Sequence, residues 1–188
     1  MPLPRLRRRR TILFTLAGVV LATALSSCSS PIPRRDPTGA MFPSVEGESL
    51  EGERVRIPED FAGAPVLLLV GYEQDTQFDL DRWLLGLFEA EVAVEVREVP
   101  TIGGLVPRII GDWIDSGMRR GIPSEDWGSV VTVYRDADAI CELTGTEDPL
   151  PGRILLLDAS GRVIFFHDRG YSVGTLAKLR EVLARSAD

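Results

Sequence analysis

Five consecutive apolar residues, Val66-Leu67-Leu68-Leu69-Val70, opened by Pro65, constrain this chain more than any other feature. A run of strand length without a polar residue has no face to offer water, so it must be covered on both sides. That demands a sheet with layers on each face, and the neighbouring segments supply them. Across 79–90, Leu80, Trp83, Leu84, Leu87 and Phe88 fall at i, i+3, i+4, i+7 and i+8, the inward stripe of a helix. Asp79 and Asp81 suit its positive end. Val92, Val94 and Val96 alternate with Ala93, Glu95 and Arg97 as a second strand.

Pro107 fits the first turn of a helix carrying Ile110, Trp113, Ile114 and Met118 on one face. Residues 130–134 read as a third strand and 136–144 as a short helix. After Pro149 and Pro151, strands at 154–157 and 163–166 are joined by Asp158-Ala159-Ser160-Gly161, the spacing of a hairpin. Ser172 caps a final helix to Arg185, with Leu176, Leu179, Val182 and Leu183 inward. Upstream, 49–57 alternates around Glu51-Gly52-Glu53 as an N-terminal β-hairpin. The fold class is therefore α/β, a central mixed sheet flanked by helices.

The first thirty residues follow other rules. Arg5, Arg7, Arg8, Arg9 and Arg10 precede an uncharged run of fifteen residues, 11–25, which ends in Leu25-Ser26-Ser27-Cys28. A basic head, a short apolar middle and small residues at a cut site describe a secretory signal. A membrane-spanning helix needs roughly 20 apolar residues, which this run does not reach. Leu25-Ser26-Ser27-Cys28 resembles the lipobox of bacterial lipoproteins. The resemblance implies a signal peptide at 1–27, removed before Cys28, and acyl chains (palmitate among them) on that cysteine. Two or three chains at about 0.8 kcal/mol per buried methylene suffice for stable anchoring. An ordinary signal peptide with a chance cysteine is the alternative. Arg9-Arg10-Thr11-Ile12-Leu13 also fits a twin-arginine export signal. Ser29 after the cysteine, by resemblance to enterobacterial sorting, points to the periplasmic face of an outer membrane where the host has one. Residues 28–44, with Arg34, Arg35 and Asp36 among Ser and Pro, read as a lipidated flexible tether to a domain at 45–188.

Composition excludes several function classes. Loss of the leader takes five arginines and no acids, moving the formal charge from −7 to −12 over the remaining 161 residues. So acidic a chain has no electrostatic footprint for nucleic acid. It would also be repelled by anionic headgroups, leaving the anchoring to lipid. With Cys28 consumed, Cys141 is expected as the only free thiol, without an internal disulfide, and His167 is the only histidine. One thiol and one imidazole do not assemble a Cys- or His-based metal site, and neither metal nor cofactor is expected.

The order of elements resembles the thioredoxin fold, in its extracytoplasmic branch: thiol-disulfide proteins of cytochrome maturation, copper-delivery proteins of oxidase assembly, and peroxiredoxins. The residues carrying the resemblance are the hairpin Leu50-Glu51-Gly52-Glu53-Arg54-Val55-Arg56-Ile57, the turn Phe61-Ala62-Gly63, and Pro151 followed by Ile154-Leu155-Leu156-Leu157-Asp158 and Gly161-Arg162-Val163. It implies a cis peptide at Pro151, lying near the junction of central strand and first helix. Those families place a reactive Cys or Cys-x-x-Cys at that junction, where the helix terminus lowers thiol pKa. Here it reads Gly71-Tyr72-Glu73-Gln74-Asp75-Thr76-Gln77-Phe78, without a cysteine. A second resemblance accommodates this, to a mitochondrial family assisting ATP synthase assembly that is thioredoxin-like but lacks the redox pair.

Individual residues complete the reading. Ala137, Ile140, Cys141 and Thr144 share a helix face, so Cys141 is expected as a buried structural cysteine, with a peroxidatic role as the alternative. His167 reads as a strand-end histidine paired with a neighbour rather than a base. Glu73, Asp75, Asp79 and Asp81 read as a solvated helix start, with a hard-cation site as the other possibility. Gly103-Gly104 reads as a hinge, and Trp113 and Trp127 as core, with a partner surface as the alternative. The sequence thus predicts no catalytic residues and a redox-inactive domain that binds an unidentified protein at the cell envelope. Its binding groove is expected at Tyr72, Glu73, Gln74, Asp75 and Pro151. The alternative is a single-cysteine thiol oxidoreductase or peroxidase using Cys141.

Overall fold

The computed structural model describes residues 31–186, the side chains of 105–110 aside. The signal peptide, Cys28 and the start of the tether lie outside the described residues. Seven strands and four longer helices follow in the order β1 (Val45–Ser49), β2 (Arg54–Ile57), β3 (Val66–Gly71), α1 (Gln77–Glu89), β4 (Glu95–Pro100), α2 (Leu105–Gly121), β5 (Val131–Thr132), α3 (Ala137–Thr144), β6 (Arg153–Leu157), β7 (Val163–His167) and α4 (Val173–Ser186). The main sheet runs β4-β3-β6-β7. β3 is parallel to β4 and antiparallel to β6, and β6 is antiparallel to β7. A second sheet, β2-β1-β5, is linked to it by parallel bridges Glu98–Val130 and Thr101–Val133. The expected mixed sheet and N-terminal hairpin are present.

The apolar run at 66–70 sits in the middle, and its two faces feed two cores. Leu68 and Val70 join Val45, Ile57, Val131, Val133, Ile140, Leu155 and Val163 on one side. Leu67 and Leu69 join Leu80, Trp83, Leu87, Ile154, Leu156, Leu176 and Leu179 on the other. Gly86 permits the second packing, because a Cβ there would lie 2.5 Å from the Tyr171 hydroxyl. Tyr171 in turn stands edge-on to Trp83 at 5.3 Å. Ser172 caps α4 as expected, accepting a bond from Thr175 N at 3.1 Å.

Several expectations are corrected. Phe88 is 82% exposed rather than inward, since it closes the stripe where α1 is ending. The second strand begins at Glu95, because Val92 N bonds Leu87 O and Val94 N bonds Val92 O in the turn that ends α1. Val92, Val94 and Val96 still pack against the core. Trp113 is 71% exposed. Asp115, buried on the same helix, instead accepts a 2.8 Å bond from Tyr134. Trp127 is half-buried, with Nε1 donating to Ile122 O. The third strand shortens to two residues.

The segment read as a flexible tether is an ordered strap over its described part. Ile32 and Thr146 exchange two bonds of 3.0 and 2.8 Å, and Arg35 N bonds Thr144 O. Further on, Gly39 N bonds Val163 O, Val163 N bonds Ala40 O, and Phe42 N bonds Gly161 O. Gly145, at φ +80°, lets the strap lie this close, since a Cβ there would meet Pro33 O. Backbone pairing and the burial of Pro37 and Phe42 outweigh the loop-like composition. Among the described residues no helix is long and apolar enough to cross a membrane.

Candidate functional site

β3 ends at Gly71, and the chain passes through a short helical turn at Gln74–Thr76 into α1. Glu73, Gln74 and Asp75 are exposed there, whereas Tyr72 turns inward. Its hydroxyl donates to Ile140 O at 3.2 Å and shares a 2.6 Å bond with Thr144. Burial pushes the Tyr72 phenol up to about 12, against the opposing pull of the Thr144 bond and the Arg153 charge. Tyr72 is a buried strut of the expected groove rather than one of its walls.

Arg153 occupies the space beneath this junction. It heads β6, is only 2% exposed, and its guanidinium lies 5.0 Å from the Tyr72 ring centre. Nη1 donates to Pro151 O at 2.5 Å, and Nη2 to Asp148 O at 2.6 Å and Gly145 O at 3.2 Å. Burial lowers its pKa, with Tyr72, Asp168 and Asp148 acting the other way. A cation removed from water needs such partners, and the 145–151 loop wraps its carbonyls around it.

That wrapping goes with a correction at Pro151. Its peptide is not cis; among the described residues the cis peptide is Ile57–Pro58. The loop path is fixed from within by Arg153 and from α1 by Asp79. One Asp79 carboxylate oxygen accepts from Gly152 N at 3.0 Å and the other from Tyr171 N at 2.8 Å. Thr76 adds a bond to Pro149 O at 3.3 Å. The loop therefore does lie against the junction, as expected.

Outside this plug is an open cleft of about 360 Å³ lined by Arg34, Glu147, Asp148, Pro151, Arg153, Asp168 and Arg169. Arg34, on the strap, clasps buried Asp168 through two bonds of 2.6 and 2.9 Å, and its guanidinium lies 5.8 Å from the Phe166 ring centre. Of the five residues expected to form the groove, Pro151 lines this cleft. Arg34, Arg153 and Asp168 were not foreseen. The available signal was an arginine heading the apolar run 154–157.

The remaining candidates have plain structural settings. Asp81 accepts from the Gln77 amide, which also reaches Glu98 at 3.0 Å. No group of three or more His, Cys, Asp or Glu among the described residues could hold a metal ion. His167 Nε2 is 2.8 Å from Gly170 O. Gly104, with φ +98°, immediately precedes α2. Cys141 is wholly buried in the core of α3, the expected setting. Its thiol is not free in the structure, which departs from the expectation of a free thiol.

No protein-family model matches the chain, and no curated protein matches it in sequence. Solved structures do. A thiol peroxidase from Chromobacterium violaceum is similar at TM-score 0.54 and 16% identity, over 83% of this chain and 92% of that one. BsSco, a member of the Sco family of cytochrome c oxidase assembly proteins, is similar at 0.55 and 13%, over 81% and 97%. The exposed lipoprotein thioredoxin of Streptococcus pneumoniae is similar at 0.50 and 13%, over 74% and 98%. Identities this low speak for fold alone, and the fold of this chain is thioredoxin-like.

Proposed function

We infer that the chain is a cell-envelope lipoprotein, lipidated on Cys28, whose thioredoxin-like domain is a redox-inactive binding or assembly module for a protein partner. The observation that carries this reading is the junction itself. Where the resembled redox families place a thiol, this chain has Tyr72-Glu73-Gln74-Asp75, with the Arg153 guanidinium held beneath by three carbonyls. Disulfide exchange needs a thiolate to attack and a second thiol to resolve, and an arginine supplies neither. The cleft beside it is lined by charges of both signs, which suit a polypeptide segment better than a small apolar ligand. Proteins of this fold named for oxidase assembly and as an exposed lipoprotein lend support to both halves of the reading.

A thiol oxidoreductase using Cys141 is the second reading, favoured by the likeness to a thiol peroxidase. Cys141 lies on α3, against Tyr72 and Ile140 in the core, rather than at the end of β3. Intact mass and acyl labelling of the processed protein test the anchor. Wild type should carry acyl mass, and Cys28→Ala should remain uncut or become soluble. Wild type without acyl mass, with Cys28→Ala equally membrane-bound, contradicts it. The chain has two cysteines, so lipid on Cys28 and a disulfide between Cys28 and Cys141 are alternative states; the processed protein of this proposal bears the lipid, and acyl mass on Cys28 or its absence separates the two. Recovery of a partner from detergent-solubilised membranes, lost when the cleft arginines Arg34 and Arg169 are replaced by Glu, tests the module.

A further inference from the structure

The strap ties the anchor to one particular end of the domain. It begins beside Thr146 and Glu147 and runs to Gly161 and Val163, at the far ends of β6 and β7. Hydrogen bonds that use the strap's backbone recur along it, and the Arg34–Asp168 ion pair adds to them, so the strap is a fixed rail and not a slack leash. Cys28 is three residues before Pro31, where the described chain begins, and three residues extend at most about 11 Å. Lipid on Cys28, the reading on which this inference rests, would therefore put headgroups within that reach of the strap's first residue. The turn at 158–161 stands farther away by the length of β6, about 17 Å for five residues, plus its loops.

We propose that the end of the domain bearing the cleft rests on the lipid headgroup layer, with the opposite turn pointing away from the membrane. The surface there fits that occupant. Leu150 is 50% exposed on the 145–151 loop, whose Glu147 and Asp148 line the cleft together with Arg34 and Arg169, so an apolar side chain stands on a loop that carries this end's charges of both signs. Zwitterionic headgroups present both signs too, whereas the acidic domain as a whole would be held off a strongly anionic surface.

The test uses the full-length, processed protein in phosphatidylethanolamine–phosphatidylcholine vesicles, with a photo-crosslinking residue placed at position 150 or at position 159. The acyl mass of each sample is measured first. Position 150 should give several-fold more lipid adduct than position 159. A flexible insertion of about 20 residues after Ser30, spanning roughly 25 Å on average, should abolish the difference. Equal adduct from both positions in acylated protein without the insertion overturns the orientation while leaving the lipid anchor standing. A sample without acyl mass on Cys28 overturns both.

Discussion

The interior of the main sheet and its end at the cleft are made of the same two strands by opposite rules. Inside, Val66–Leu69 of β3 pair with Ile154–Leu157 of β6, all buried and all apolar. One residue pair further along, Val70 faces Arg153, and the chemistry turns polar: a buried guanidinium, the Tyr72 phenol, Thr144, and Asp79 stapling two loops. The interior is held by the area it removes from water, which is indifferent to direction. The end is held by directed bonds, each costly to leave unmade. Directed bonds from Arg153 and Asp79 hold the 145–152 loop in one shape, which the binding role proposed above requires.

The two regions should respond differently to truncation. Trp83→Ala, in the interior, should cost about 3–5 kcal/mol by transfer and cavity terms together. Denaturant unfolding should show it as a lowered midpoint with the cleft's shape retained in the folded fraction. A cost under about 1 kcal/mol would mean the core closes around the loss. Arg153→Ala should cost somewhat less, about 3 kcal/mol, as three carbonyls lose their donor in a buried setting. Its mark is local: hydrogen exchange should rise across 145–152 well before the interior strands respond. Uniform exchange throughout the domain would show that the two regions are not separable.

A smaller effect concerns Glu98 on β4. Burial raises its pKa, and Asp81 and Asp126 add repulsion against the favourable Gln77 bond. An acid whose folded pKa lies above its unfolded value contributes stability at low pH, and that contribution is lost as pH rises through the folded value. Glu98→Gln should therefore flatten this part of the pH dependence and stabilise the protein modestly at neutral pH. Stability unchanged, or lowered at neutral pH, would show that the ionised carboxylate is well accommodated.

The interior was legible from the sequence and the polar end was not, for a physical reason. Val66–Val70 and the i, i+3, i+4 stripe through Leu80, Trp83 and Leu87 are periodic, and burial imposes periodicity. Arg153 and Arg34 belong to no period. Arg153 follows a Pro-bearing loop, and Pro31-Ile32-Pro33-Arg34-Arg35 reads as a linker until the bonds of Arg34 to residues 113 and 134 positions away are known. The resemblance points to a cis peptide at Pro151, whereas the structure shows its peptide not cis, in a loop held by Thr76, Asp79 and Arg153. Phe88 and Trp113 kept the right spacing on helices whose ends and edges face solvent.

The central claim is that this end of the fold binds without turning over thiols, and insulin reduction together with peroxide consumption tests it most directly. Processed wild type and Cys141→Ser, each brought to a defined thiol state and compared with an active thioredoxin, should both stay at the uncatalysed rate. Robust turnover by wild type that disappears in Cys141→Ser would contradict the account and make the buried cysteine of α3 the reactive centre.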